Sequence, residues 1–440
     1  MKYKIKEIRP EKVICDPIHG YIHIPQNIIL NLINAPEFQR LRRIKQLGTS
    51  SFVFPSAEHT RFSHSLGVYE ISRKICNNFY YNYSQFNNPN CTWNNDEYII
   101  TVCAALLHDI GHGPYSHTFE HIFKTNHEKI TQEIINSNKT KINKILKNTS
   151  SDLPKLVSNV INHKYKNKQV VQIISSQLDA DRMDYLLRDA YNTGTKYGLF
   201  DIDRILRVMV PYKNEIVFNE SGMHSVEDYI ISRFQMYQQI YFHPVSRSME
   251  EVLKNLLMRA KYVYKNNGFK KSNIPTLLIP FFNDKFDLKS YLNLDDYVLN
   301  GYFTSWKKHS DRILSDLSKR FLNRIPFEAV KFNTKDSEKI KYLQDLVSKA
   351  GFNKNYYTSI NKNYDLPYEL YFPDSKTQIK ILLTNGKLKE LSSISKLVSS
   401  ISDKKIGDNL FMFPKEVINN YKHSKISNEF KNCLKKLNSI

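Results

Sequence analysis

The chain has 440 residues, 41% of them hydrophobic, which is enough to bury a full core and to divide into two or more lobes. Its apolar run Val102 to Leu107 is far shorter than the roughly 20 residues a membrane span needs, and Met1 to Glu7 is charged rather than apolar, so a cytoplasmic protein with no membrane partner is expected. Five cysteines (Cys15, Cys76, Cys91, Cys103, Cys433) without a C-x-x-C pair exclude a disulfide framework and a thiolate zinc site, while the net charge of +21 favours polyanionic partners, although lysine is scattered as on a solvated surface.

Residues 12–25 alternate apolar and polar around Asp16-Pro17 and His19-Gly20, the pattern of a short hairpin. Ile28, Leu32 and Ile33 then take helical spacing up to Ala35-Pro36, and Phe38, Leu41, Ile44 and Leu47 resume it to Gly48. Ser63 is the expected N-cap of a helix through Leu66, Tyr69, Ile71 and Ile75. Asp96 opens another, whose apolar run ends at His108-Asp109 just before Gly111 and Gly113-Pro114. The pattern stays helical to about residue 260, apart from a strand at Glu215 to Phe218.

Beyond a helical stretch from Leu288 to Leu322, the sequence predicts a strand at Phe327 to Phe332, a helix from Ser337 to Ala350 and a strand from Tyr356 to Ile360. A hairpin is expected around Asn385-Gly386, and the polar tail after Ser399 reads as helical and peripheral. The expected fold class is mainly α. A helical lobe with a short N-terminal β-hairpin covers 1–265, a helical connector 266–322, and a small C-terminal α+β lobe with a helical tail 323–440.

Histidines and carboxylates fall at the ends of these elements. His64 opens one helix, His108-Asp109 closes another, and Asp181 lies in Gln177-Leu-Asp-Ala-Asp-Arg-Met-Asp-Tyr-Leu-Leu-Arg-Asp. Imidazole and carboxylate together suit a borderline divalent ion, which lowers the pKa of a bound water and neutralises phosphate charge. Adjacent His and Asp can face one point if the helix end unwinds, which Gly111 permits. A lone His-Asp pair has little specificity, but His64-x-x-Gly followed 44 residues later by His108-Asp-Ile-Gly-His-Gly-Pro-Tyr-Ser-His, then by Asp181-Arg-Met-Asp-Tyr, is a different matter.

With Asp16-Pro-Ile-His-Gly, Phe38-Gln-Arg-Leu-Arg-Arg-Ile-Lys-Gln-Leu-Gly, Val53-Phe-Pro and Arg61-Phe-Ser-His-Ser-Leu-Gly-Val, the stretch from Val13 to Val245 resembles the HD-domain superfamily of metal-dependent phosphohydrolases. Within it, the likeness is to deoxynucleoside triphosphate (dNTP) triphosphohydrolases, both bacterial members and the vertebrate sterile-alpha-motif-containing enzyme. Leu292-Asn-Leu-Asp-Asp-Tyr-Val also resembles bacterial members, and a sterile-alpha-motif domain is not expected before residue 13.

The resemblance implies that His64, His108, Asp109 and Asp181 hold one divalent transition metal, Mn-, Fe-, Zn- or Ni-like, with Mg admissible on the substrate phosphates. It places His112, His117, Glu120 and His127 along the triphosphate, His117 being the acid for the departing sugar oxygen. Glu120 stands where the family usually has Asp, which keeps the charge but lengthens the arm. Arg61, Arg182, Tyr185 and Arg233 match positions that grip phosphates, where guanidinium forks bind two oxygens at once. Gln46, Leu47, Asp189, Tyr241 and His243 match positions that cradle sugar and base, with Leu47 and Tyr241 leaving no room for a 2′-hydroxyl. Taken singly, Tyr185, Leu47 and Tyr241 read as core residues. His19, His163 and His224 read as ordinary polar or turn residues, His121 as facing away, and Asp184 and Arg188 as a structural i,i+4 pair.

The expected reaction is dNTP hydrolysis to deoxynucleoside and inorganic triphosphate by water attack on the α-phosphorus. The alternatives are an HD hydrolase of another nucleotide or a phosphodiester, and a nucleic-acid-binding scaffold, nucleic acid being a secondary partner. The resemblance also implies a homo-oligomer, dimer or tetramer, with a nucleotide activator at the subunit interface. Lys12, Val13 and Arg42 match that site, but Asn34, Asn219 and Ser221 replace its aspartate and basic residues, and Asn34 cannot accept two guanine N–H bonds as a carboxylate does. Strict GTP activation is therefore expected to be lost or altered, and a steep GTP requirement for turnover would contradict this.

Overall fold

The alternation around Asp16 and Gly20 becomes an antiparallel pair, β1 (Glu7–Asp16) and β2 (Gly20–Gln26), in the computed structural model, which describes residues 3, 6–84, 89–270, 274–362, 378–402, 407–419, 424–435 and 437. The Asp16 carboxylate accepts from the backbone N–H groups of Ile18 and His19 at 3.0 and 3.1 Å, and Gly20 takes the left-handed φ of 73° that closes the turn.

The fold is mainly α, and three helices position the candidate residues. Tyr98–Leu107 is buried at every position from Ile99 to Leu107. A helix apolar all round belongs at the centre, and this one packs against Arg61–Tyr83, which in turn packs against Ala180–Thr193. Arg61–Tyr83 starts two residues before the expected cap: Thr60 occupies the N-cap without a side-chain bond, and Ser63 Oγ donates back to the Thr60 carbonyl at 2.8 Å. The helix expected through Leu47 stops sooner. After Pro36–Gln39 and a 3-10 turn over Arg40–Arg43, Ile44 is extended and Lys45 pairs with Thr60, because Arg61 N–H is satisfied by the Ile44 carbonyl and Gln46 N–H by that of His59. Among the described residues no helix is long and apolar enough to cross a membrane.

The strand expected at Glu215 is β4 (Glu215–Asn219), and its hairpin partner β3 (Met209–Tyr212) was not predicted. Pro211 within β3 is an argument against a strand in the sequence, but β3 lies at a sheet edge, where a missing N–H costs no ladder bond. In the C-terminal part, β5 (Glu328–Lys331), the helix Ser337–Lys349 and β6 (Ser359–Asn361) are close to expectation, Lys354–Tyr357 being a helical turn rather than strand. The Asn385-Gly386 hairpin forms between β7 (Lys380–Leu382) and β8 (Leu388–Glu390), with Gly386 at φ 78°. β7 pairs in parallel with β4, so the four-stranded sheet β3-β4-β7-β8 joins segments some 160 residues apart in sequence.

The tail after Ser399 is neither wholly helical nor peripheral. Leu410-Phe-Met-Phe forms β9 (Leu410–Phe413), buried at all four positions between β5 and β6. A four-residue apolar run carries no periodicity to separate strand from helix, and burial on both faces removes the alternation. The terminal helix Ser424–Lys435 does form, and Phe430 packs its ring on Phe413 at 4.7 Å.

Candidate active site

Four side chains meet where the three central helices end. His64 Nε2 lies 3.0 Å from Asp181 Oδ1 and 3.8 Å from Asp109 Oδ2, and His108 Nε2 lies 3.4 Å from Asp109 Oδ1 and 3.6 Å from Asp181 Oδ1. Both Nε2 atoms are buried and neither makes an aligned hydrogen bond, although the two carboxylates lie against them. That donor set fits a divalent ion, and His64, His108 and Asp109 already lie close enough to share one.

Outer contacts fix the ring orientations. His64 donates from Nδ1 to Asp184 Oδ2 at 2.8 Å, leaving Nε2 as the inward atom, and His108 Nδ1 donates to the Ala105 carbonyl at 2.8 Å. Asp184 in turn accepts from His19 Nε2 at 2.6 Å and from Arg188, whose other face binds Asp16 at 2.8 Å. The Asp16-Pro-Ile-His19 turn and the Asp184–Arg188 pair therefore form the layer behind His64. Burial disfavours charge on His64, but Asp181 and Asp184 at its two nitrogens outweigh this and push its pKa up to about 10. Burial would raise the Asp181 carboxyl as well, yet His108 and His64 hold it below the usual range.

Glycines let these parts approach. A Cβ on Gly67 would sit 1.8 Å from Asp184 Oδ1, and one on Gly111 would sit 2.2 Å from the His127 carbonyl. Gly111 thus serves close approach to the His127–Asn136 helix, where its N–H is bound by Thr131 Oγ1 at 2.9 Å. The chain leaves the His108 helix end through successive turns rather than through an unusual glycine conformation.

Beside the four donors, His112 Nε2 is 3.3 Å from Asp109 Oδ1 and stacks on His127 at 3.9 Å. Burial and the Arg61 guanidinium hold His112 well below its usual pKa. Glu120 bridges His127 Nδ1 (2.9 Å) and His117 Nδ1 (3.3 Å), the longer arm reaching both rings. Burial would raise Glu120, but those two histidines keep it well below the carboxylate range. His117 itself is 77% exposed, its ring 5.6 Å from that of His112. Arg61 pairs with Asp109 and donates from Nε to Ser116 Oγ at 3.0 Å. Tyr115 and Ser116 carry positive φ (50° and 41°), a conformation that costs on the order of 1–3 kcal/mol per residue and is held here by Arg61 and by Asp296 on the Tyr115 N–H at 2.8 Å.

A cavity of about 470 Å³ adjoins this cluster, lined by Gln46, Leu47, Arg61, His117, Tyr185, Asp189 and Tyr241. Asp189 binds the Tyr241 hydroxyl and His59 Nε2, each at 2.8 Å, and the buried Gln46 Oε1 has no partner. Three sequence-predicted substrate residues fall elsewhere. His243 does not line the cavity; its Nδ1 accepts from Val245 N–H at 3.2 Å and caps the Pro244–Lys265 helix. Arg182 and Arg233 line a second cavity, Arg182 bound to Asp179 at 2.6 Å and Arg233 to Gln177 Oε1 at 2.7 Å.

Sequence reasoning missed His19, His59 and Glu250, which also lines the first cavity; there burial and Glu251, against Arg247, push its carboxyl up to about 7. Asp16-Pro-Ile-His and the i,i+4 spacing of Asp184 and Arg188 were the available signals for the layer behind His64. No sequence spacing signals His59 or Glu250.

Comparison with known proteins places the chain in a family. A model of the HD domain matches residues 61–189, and one of an HD associated region matches residues 200–274. The Bacillus subtilis protein YwfO is 46% identical over 422 residues, 95% of each chain. Human SAMHD1, named a deoxynucleoside triphosphate triphosphohydrolase, is 28% identical over 325 residues, 65% of this chain and 50% of that one. Among solved structures, a phosphohydrolase from Bacteroides thetaiotaomicron superposes with a TM-score of 0.80 at 29% identity, covering 92% of this chain and all of the other.

Proposed function

Because this chain belongs to the HD-domain family of phosphohydrolases, we propose that it hydrolyses dNTPs to deoxynucleoside and inorganic triphosphate, at a centre held by His64, His108, Asp109 and Asp181. The observation that carries the reading is the pair of unpartnered, buried imidazole nitrogens facing two carboxylates beside a ligand-sized cavity. A divalent ion bound there supplies positive charge to the phosphate and lowers the pKa of water.

The chain's own groups do the rest. Arg61, its guanidinium already turned to Asp109 and Ser116, grips phosphate oxygens at the rim of the cavity. Tyr185 and Tyr241, 6.1 Å apart and nearly perpendicular, form the wall for the sugar, and Asp189 holds the Tyr241 hydroxyl so that the ring cannot swing aside. Leu47, which lines the same cavity, adds a side chain with no polar atom for a 2′-hydroxyl, which favours deoxyribose. As water attacks the α-phosphorus, the bond to the 5′-oxygen breaks and that oxygen takes a proton from His117. Glu120 accepts from His117 Nδ1, leaves Nε2 facing the leaving group and stabilises the ring's charged form.

Isotope labelling tests the bond that breaks. In H₂¹⁸O the label is expected in triphosphate and not in the deoxynucleoside. Label in the nucleoside 5′-oxygen, or orthophosphate as the first product, would overturn the reading.

A further inference from the structure

The larger cavity, about 780 Å³, lies in the size range of small-molecule sites, roughly 300–1,000 Å³. Its inner wall is Arg182 and Arg233, and Lys166, Lys168, Lys213 and Lys380 surround the rest. Arg182 lies one helical turn before Tyr185 of the substrate cavity.

The charges are unbalanced. Lys380 is held by Glu215 at 2.8 Å and Arg182 by Asp179 at 2.6 Å. Lys166, Lys168, Lys213 and Arg233 have no carboxylate within ion-pair distance among the described residues. Arg233 is only 4% exposed, and its Nε is buried without a partner. A buried guanidinium without an anion is costly, so a cavity walled by one and ringed with free ammonium groups is built for a polyanion. Apart from Tyr165 and Val171, the side chains that line it are polar or charged, a composition that suits an inorganic anion.

We propose that this cavity seats free inorganic triphosphate as it leaves the active site. The identity of the anion rests on the triphosphohydrolase reading; the existence of an anion seat rests on the charge arrangement alone. Arg182 and Arg233, both close to Tyr185 of the smaller cavity, receive the anion on this side and pass it to the lysines.

The test is calorimetric titration of the whole chain with inorganic tripolyphosphate and, separately, with an α,β-imido analogue of dATP whose 5′-oxygen is replaced by methylene, which removes the bond that the reaction would break, so that no turnover occurs. Lys166 and Lys168 are exposed, so Lys166→Gln/Lys168→Gln should fold. It is expected to weaken tripolyphosphate binding about five-fold or more, with a flatter salt dependence. Glu215→Gln, which frees the Lys380 ammonium, is expected to tighten it, and the imido analogue should shift less than about two-fold in either variant. Equal tripolyphosphate affinity in all three proteins, or the imido analogue moving in step with it, would overturn the proposal. A protein that shows the expected pattern yet releases no triphosphate from any dNTP would keep the anion seat and remove the reaction reading alone.

Discussion

At the scale of single residues, the candidate centre depends on a second layer as much as on its four donors. Asp184 fixes the His64 tautomer and is itself fixed by His19 and Arg188. Losing such a partner typically lowers metal affinity by about 10- to 100-fold, so Asp184→Asn is expected to lose divalent ion in that range, measured by competitive chelator titration, while far-UV circular dichroism stays native. Unchanged affinity would mean that His64 orientation does not depend on Asp184. The clustering of His64, His108, Asp109 and Asp181 was legible because HD-type spacing puts them at element ends, and the Asp184–Arg188 pair because its members stand four residues apart. That the pair stands behind His64 was not legible, since nothing in the sequence places it beside His64. Gly67 shows the same limit: the glycine of His64-x-x-Gly could be read as a motif, but its reason is a carboxylate 1.8 Å from where a Cβ would lie.

At the scale of elements, one carboxylate joins three segments around the strained loop. Asp296, at the start of the helix Asp296–Trp306, accepts from Lys45 N–H at 2.9 Å and Tyr115 N–H at 2.8 Å, and burial pushes its carboxyl up to about 6 from an ordinary 3.8. The native state therefore binds this proton more tightly than the unfolded chain does. The group's contribution is most favourable below about pH 4 and is lost as pH rises through about 6. Urea unfolding of wild type and Asp296→Asn across that window should show wild type losing stability relative to the variant as pH rises. A constant difference between the two would contradict the assignment. The elements themselves were largely readable: periodicity located the central helices, and Asn385-Gly386 located β7 and β8. The errors came where apolar spacing continued but backbone partners did not, as after Arg43, and where a run was too short to have a period, as in β9.

For the whole molecule, the Pro244–Lys265 helix is the wall between the site-bearing half and the C-terminal strands. Arg247, 2% exposed, binds Asn361 and the Asp408 carbonyl, and Ser248 Oγ donates to the Phe327 carbonyl at 2.7 Å. β4 and β7 add a second seam. Polar groups buried in this way lose their partners if either half opens alone, so the chain should unfold as one unit. Hydrogen exchange followed by mass spectrometry in increasing urea should give one midpoint for peptides from 61–83 and from 410–413. Two separated midpoints would show independent lobes.

A four-residue metal centre and one reaction stand or fall together here, and product analysis tests both. Full-length protein is incubated with each dNTP and each ribonucleotide in Mn or Mg, and products are resolved by ion-pair chromatography. The prediction is equimolar deoxynucleoside and triphosphate from dNTPs, little from ribonucleotides, and a loss of at least about 100-fold in Asp109→Ala, as expected when the charge-stabilising centre is removed. Orthophosphate or pyrophosphate as the product, or turnover in Asp109→Ala equal to that of wild type, would contradict it.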